Sequence, residues 1–240
     1  MLDRLKVKIY ADGADLKSMT ALAANPHVKG FTTNPSLMRK AGVADYSAFA
    51  RDVLKVIPDR PVSFEVFADE PAEMEAQGRE IATWGRNVYV KIPVMNTKGV
   101  STAPIISRLS KHGVALNVTA IFTVKQVIEV TAALDFATPA VISVFAGRIA
   151  DTGVDPMPMM RECVQRMKAK PKAELLWASP REMLNIWHAD ECGCHIITVQ
   201  PDVLSKLNLI GKDLDAYSLE TVKTFYQDAT AAGYKIATRA

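Results

Sequence analysis

Lys91 stands near the end of an otherwise apolar run, Asn87-Val88-Tyr89-Val90-Lys91-Ile92-Pro93-Val94. Burying an ammonium costs hydration, so such a position favours the neutral amine, and a neutral amine is a nucleophile toward carbonyl carbon. A strand-end lysine whose stem covers apolar surface while its head reaches water fits the same stretch, with Pro93 marking the exit of the strand. What separates the two readings is the company the lysine keeps along the chain. Polar residues recur at the ends of successive apolar runs: Asp12, Thr33 with Asn34, Glu65, Lys91, Asn117 with Thr119, Ser143 with Arg148, and Ser179 with Arg181. Together they offer an amine to attack a carbonyl, two carboxylates to move protons, amides and hydroxyls to orient a polar substrate, and two guanidiniums to hold an anion.

The elements that must position these groups alternate along the sequence. Apolar strand-like runs occupy residues 7–11, 28–33, 62–67, 87–94, 115–119, 139–145, 173–178 and 194–199. Helical patterns fill the intervals at about 14–24, from the Asn34-Pro35 turn to Ile57, 71–84, 102–111, 123–134, 156–168 and from Pro180 to about Ala189. A short helix over 201–207 and a last one over about 214–232 complete the chain. Strands apolar on both faces require helices on both sides of a parallel sheet, and eight consecutive strand–helix units close most readily into an α/β (β/α)8 TIM barrel. The expectation is one barrel domain over residues 1–240 with an additional C-terminal helix. A doubly wound dinucleotide fold would want a glycine-rich turn after the first strand, where this chain has only Asp12-Gly13-Ala14.

Composition bounds the function. The chain of 240 residues is 49% hydrophobic and 23% charged, with a formal net charge of +3. No dense basic stripe suits a nucleic-acid partner; the densest run, Lys168-Ala169-Lys170-Pro171-Lys172, reads as a solvated helix end. No apolar run approaches membrane-spanning length, and the start lacks an apolar signal core, so the expectation is a soluble cytoplasmic protein without a membrane partner. Cys163, Cys192 and Cys194 form no paired framework. Cys192-Gly193-Cys194-His195 has no second ligand pair at zinc spacing, so no metal is expected.

Several of the polar residues have plainer readings. Asp12 before Gly13 can shape a turn or cap a helix, and Asn34 before Pro35 can be a helix cap. Arg148 with Asp151 can be a loop ion pair, and Thr119 can be a β-favouring filler. Glu65 is harder to dismiss, since strand parity turns Phe64 and Val66 toward the surrounding helices and the carboxylate into the barrel. Both arginines follow a strand and precede a helical pattern late in the barrel, a usual phosphate position.

Taken together, Asp12, Gly30-Phe31-Thr32-Thr33-Asn34-Pro35-Ser36, Glu65, Val90-Lys91-Ile92-Pro93, Asn117-Val118-Thr119, Ser143-Val144-Phe145-Ala146-Gly147-Arg148 and Ala178-Ser179-Pro180-Arg181 resemble the transaldolase family, in its short bacterial form related to fructose-6-phosphate aldolase. The resemblance implies a (β/α)8 barrel whose Lys91 forms a Schiff base with a ketose, without a cofactor. It assigns Asp12 as the acid near the sugar hydroxyls and Glu65 with Thr119 as the pair that holds a catalytic water. Asn34 and Asn117 orient a dihydroxyacetone unit, with Thr33 beside them. Ser143 and Phe145 line the substrate channel, and Arg148, Ser179 and Arg181 take the terminal phosphate.

The family's aldolases typically carry Gln on strand three and Tyr on strand six. Glu65 and Phe145 instead match transaldolases, which transfer the three-carbon unit of a ketose phosphate to an aldose, as in the pentose phosphate pathway. Where the family usually places an aromatic between the serine and arginine of the anion segment, this chain has Pro180. That leaves a sulfonated sugar beside a sugar phosphate, and an aldolase releasing free dihydroxyacetone beside a transferase. A non-catalytic sugar-phosphate sensor would keep the arginines without needing Lys91, Glu65 and Thr119. Short members of the family are commonly ring-forming homo-oligomers, frequently decamers, and the resemblance extends that expectation to this chain.

Overall fold

A computed structural model describes residues 2–238. It separates into two compact units, Met1–Ser205 and Lys206–Ala240. The first holds eight parallel strands, β1 (Lys8–Asp12), β2 (Val28–Thr32), β3 (Val62–Glu65), β4 (Val88–Pro93), β5 (Leu116–Ile121), β6 (Ala140–Val144), β7 (Ala173–Trp177) and β8 (Ile196–Val199), closed in sequence order with β8 paired to β1. Between them run α1 (Leu16–Ala23), α2 (Pro35–Lys40), α3 (Tyr46–Val56), α4 (Pro71–Ala82), α5 (Ala103–Lys111), α6 (Val124–Ala133), α7 (Ala146–Ala150), α8 (Met157–Arg166) and α9 (Asn185–Glu191), and α10 (Pro201–Leu204) follows β8. The (β/α)8 expectation holds.

Two local departures have clear physical causes. The stretch from Asn34 to Ile57 is two helices, not one: Gly42 sits at φ +71°, a conformation that favours glycine and stops α2, and Asp45 caps α3 by accepting from Ala48 N. After β7 the helix starts at Asn185, so Pro180 and Arg181 lie in a loop, where Arg181 N donates to Asn185 Oδ1 at 2.8 Å. The sequence reading also missed α7, whose five residues carry Arg148 immediately after β6.

Register fixes which side chains share the barrel mouth. Glu65 pairs with Lys91 and Lys91 with Asn117, so adjacent strands turn all three inward at one level. Elsewhere in the interior, Tyr10, Val141, Leu176, Ala178 and Ile196 form an apolar cluster against which Tyr89 and Phe145 pack. Burying each large member contributes about 1.5–3 kcal/mol. Gly30 makes room for this cluster, because a Cβ there would meet the Tyr10 ring at 2.5 Å. Outside the barrel, Phe64 is fully buried and meets Tyr46 and Trp84 edge-on.

The second unit contains α11 (Leu214–Ala231), capped by Asp213, whose side chain accepts from Ala216 N. Its Leu219, Val222, Phe225 and Tyr226 are exposed. Among the described residues, no helix is long and apolar enough to cross a membrane.

Candidate active site

Eleven of the twelve residues expected at the site line one cavity of about 650 Å³ at the C-terminal mouth of the barrel: Asp12, Asn34, Glu65, Lys91, Asn117, Thr119, Ser143, Phe145, Arg148, Ser179 and Arg181. Thr33 is the exception. It is fully buried, its hydroxyl donates to Ser63 O at 2.8 Å, and it faces the site only through its carbonyl, which accepts from Lys91 Nζ at 2.9 Å.

Lys91 does not reach bulk solvent. The residue is 7% exposed, and Nζ lies 3.1 Å from Glu65 Oε2. The amine is therefore pinned between a carbonyl and a carboxylate. Tyr46 fixes the backbone that carries this carboxylate by donating its hydroxyl to Glu65 O at 3.0 Å.

Asp12 completes the Lys91 end of the cavity. Its Oδ1 accepts from Thr32 Oγ1 at 2.8 Å, and its Oδ2 has a long contact of 3.5 Å with Asn34 Nδ2. Burial lifts the Asp12 carboxyl above the usual carboxylate range; Lys91 and the Thr32 and Asn34 hydrogen bonds oppose the rise, and Glu65 adds to it. Thr32 and Thr198 hydroxyls lie 2.5 Å apart, so with Asp12 ionised Thr198 donates to Thr32 and Thr32 to Asp12. Asp12 does not cap α1, a task that falls to Asp15. Asn34 is the helix cap foreseen for it: Oδ1 caps α2 by accepting from Leu37 N at 3.0 Å, which turns Nδ2 toward Asp12.

On β5, Asn117 is held from two sides. Ser143 Oγ donates to its Oδ1 at 2.6 Å, and its Nδ2 donates to Ser63 Oγ at 2.9 Å. One amide hydrogen remains for a ligand. Past Val118 the pairing with β6 shifts register, and Ala120 sits at φ +59°, an uncommon conformation for a residue with a side chain. Beside this bulge the buried Thr119 hydroxyl has no hydrogen-bond partner within the protein. Leaving a hydroxyl so costs about 1–3 kcal/mol, which a polar ligand in the cavity would recover.

At the other end, Arg148 lies over the Phe145 ring at 4.9 Å, and Phe145 packs on Phe122 at 5.6 Å. The loop ion pair considered for Arg148 with Asp151 forms with Arg181 instead: Arg181 Nε lies 3.0 Å from Asp151 Oδ1, and Nη2 contacts Oδ2. Ser179 is at φ +58°. Gly147 joins the two segments, donating its N–H to Ala178 O at 3.2 Å, and a Cβ there would lie 1.5 Å from Ser179 O. We expect Gly147→Ala to force the Arg148 and Arg181 segments apart, lowering the thermal midpoint by several degrees and weakening anion binding; differential scanning fluorimetry with and without phosphate checks this.

Thr198 and Gln200 also line the cavity and were not singled out from the sequence; Thr32, which lay within the Gly30–Ser36 block, and Asp151, considered only as an ion-pair partner, line it too. Thr198 lies near the end of β8 and Gln200 directly follows it, and scanning that strand's end as the others were scanned would have found them. The cysteines lie elsewhere. All three are buried, and burial pushes the Cys163 and Cys192 thiols up to about 11. His195 Nδ1 accepts from Leu175 N at 2.9 Å, a strand-supporting bond.

A closed parallel barrel with an enclosed lysine, two acids and two arginines converging at its C-terminal mouth defines the α/β-barrel class in which strand-end side chains carry the chemistry. The chain belongs to the Transaldolase/Fructose-6-phosphate aldolase family, whose model matches residues 9–238. It is 37% identical over 202 residues to a "Probable transaldolase" of Dehalococcoides mccartyi, covering 84% of this chain and 90% of that one. A "Probable transaldolase" of Streptococcus equi subsp. zooepidemicus is 32% identical over 226 residues, 92% of this chain and 97% of the relative. Among solved structures, dihydrodipicolinate synthase from Rhodopseudomonas palustris superposes with a TM-score of 0.55 at 15% identity, over 80% of this chain and 69% of that one, a likeness of fold alone. The protein is a transaldolase-type enzyme.

Proposed function

We propose that the protein transfers a dihydroxyacetone unit from an anionic ketose, with a sugar phosphate as the simplest donor, to an aldose acceptor through a Schiff base on Lys91. The observation that carries the reading is the enclosed Nζ, 3.1 Å from Glu65 Oε2. A lysine serving only fold or solubility would not be buried facing the cavity with a carboxylate beside it. Glu65 is placed to take the proton that Nζ must lose before attack. The amine adds to the C2 carbonyl, and the carbinolamine loses water to give an iminium. Glu65 and the unpartnered Thr119 hydroxyl supply the acceptor and donor that a water at this step needs.

Asp12 then takes the C4 hydroxyl proton. The C3–C4 bond breaks, its electron pair flows into the iminium to form an enamine, and an aldose departs. The enamine attacks a second aldehyde, and hydrolysis of the new iminium restores Lys91. Asn34 and Asn117 orient the three-carbon unit, and Arg148, Ser179 and Arg181 receive the charged tail.

Transfer is favoured over release of free dihydroxyacetone because Phe145 lines the cavity where the family's aldolases have a tyrosine, and a phenyl ring has no proton to give the enamine. Borohydride reduction in the presence of a ketose is expected to fix a three-carbon adduct on Lys91, located by peptide mass analysis. An adduct that persists in Lys91→Ala would refute the assignment. Product formation should depend on an added acceptor aldehyde; equally fast turnover without one would identify an aldolase.

A further inference from the structure

The charged residues lining the cavity form two groups. Asp12, Glu65 and Lys91 act on one another at one end, and Arg148, Asp151 and Arg181 at the other. We propose that Asp151 is a specificity-determining residue of the second group: it occupies one edge of the Arg181 guanidinium, reduces the charge of that end from two positive to one, and so fits it to a tail bearing a single negative charge in preference to a dianion. The inference deepens the proposed function and rests on reading the cavity as an anionic-sugar site.

Geometry supports it. The contact between Arg181 and Asp151 is a side-on fork through Nε and Nη2. It uses two of the five guanidinium N–H donors and leaves three, two of them on the end-on edge, for a ligand. Both side chains are about half exposed, 50% and 49%, and a pair so exposed contributes little to stability. Its consequence lies in the cavity, which both residues line. The partners are also held in place: Asp151 caps the end of α7, and the bare Gly147 lets that helix sit against the Ser179 carbonyl just before Arg181. Arg148, stacked on Phe145, remains the second cation. A phosphate ester dianion meeting this end leaves excess negative charge beside Asp151, whereas a sulfonate or a singly protonated phosphate is balanced by it.

Calorimetric titration at pH 8 with inorganic phosphate, largely dianionic there, and with methanesulfonate tests the idea on the intact protein, Asp151→Asn and Arg181→Gln. Asp151→Asn is expected to tighten phosphate about 10-fold and methanesulfonate no more than about 3-fold, equivalent to about 1.4 kcal/mol for the dianion. Arg181→Gln should weaken both. An unchanged phosphate affinity in Asp151→Asn, an absence of phosphate binding to it, equal tightening of the two anions, or weakening of both would overturn the inference, the last by showing that Asp151 only orients Arg181. Borohydride trapping of dihydroxyacetone, which has no charged tail, on the wild-type protein reads the Lys91 end independently. An adduct with no phosphate effect removes this inference alone, and a phosphate effect without an adduct removes only the Schiff-base reading.

Discussion

Lys91→Arg is expected to leave a folded protein with no measurable turnover, a loss of roughly 10⁴-fold or more in kcat, the scale seen when a covalent nucleophile is removed. Arginine is the informative replacement because of where the lysine sits. Nζ is enclosed by Thr33 O and Glu65 Oε2, so truncation to alanine strands a largely buried carboxylate. Stranding one member of a buried pair costs about 3–5 kcal/mol, and an inactive Lys91→Ala protein could simply be unfolded. A guanidinium keeps the positive charge and the donors but does not deprotonate in proteins, so it cannot form an imine. Circular dichroism close to wild type together with absent turnover and absent borohydride adduct is the expected result. Residual turnover above about one ten-thousandth of wild type would mean that Lys91 binds or orients substrate without bonding to it, because general acid–base or positioning losses fall in the range of about 10²–10⁴.

How much of this was legible in the sequence depended on periodicity and on chain locality. Strand parity alone turned Glu65 into the barrel and Phe64 out against Tyr46 and Trp84, as the structure shows. The sequential order of strands followed from short connections, which leave a parallel barrel few alternatives. The break at Gly42 was missed because apolar residues continue at helical spacing on either side, and only the backbone conformation shows that the chain turns there. Thr119 and Ala120 share a bulge that no pattern of residue types announces. The alternative that paired Asp151 with Arg148 fails for a different reason: Arg148 is near in sequence, while Arg181 approaches only once β6 and β7 pair and Gly147 lets their loops touch. Local rules locate side chains on elements; they do not say which of two cations a loop carboxylate meets.

Asp12→Asn is expected to trade activity for stability. Burial raises the folded-state pKa of Asp12 above its ordinary value, with Lys91 and the hydrogen bonds only partly offsetting the rise. Within the window from the ordinary carboxylate value up to this raised one, the native state binds the proton more tightly than the unfolded chain. The contribution of this group to stability is thus fully present below the window and is lost as pH rises through it. Asparagine is neutral throughout, and its amide oxygen can still accept from Thr32 Oγ1. The variant should therefore be more stable than wild type near neutral pH, and the advantage should shrink as acid protonates Asp12 in the wild type; thermal midpoints measured from pH 4 to pH 8 report both. Turnover should fall about 10²–10⁴-fold, since the amide cannot take the C4 hydroxyl proton. In wild type the acid limb of the kcat/KM profile should lie above the ordinary carboxylate range and vanish from the residual activity of the variant. An Asp12→Asn protein as unstable as wild type at pH 8 would show that the carboxylate is well solvated in its cavity, and one with full activity would move the proton-transfer role to the water expected between Glu65 and Thr119.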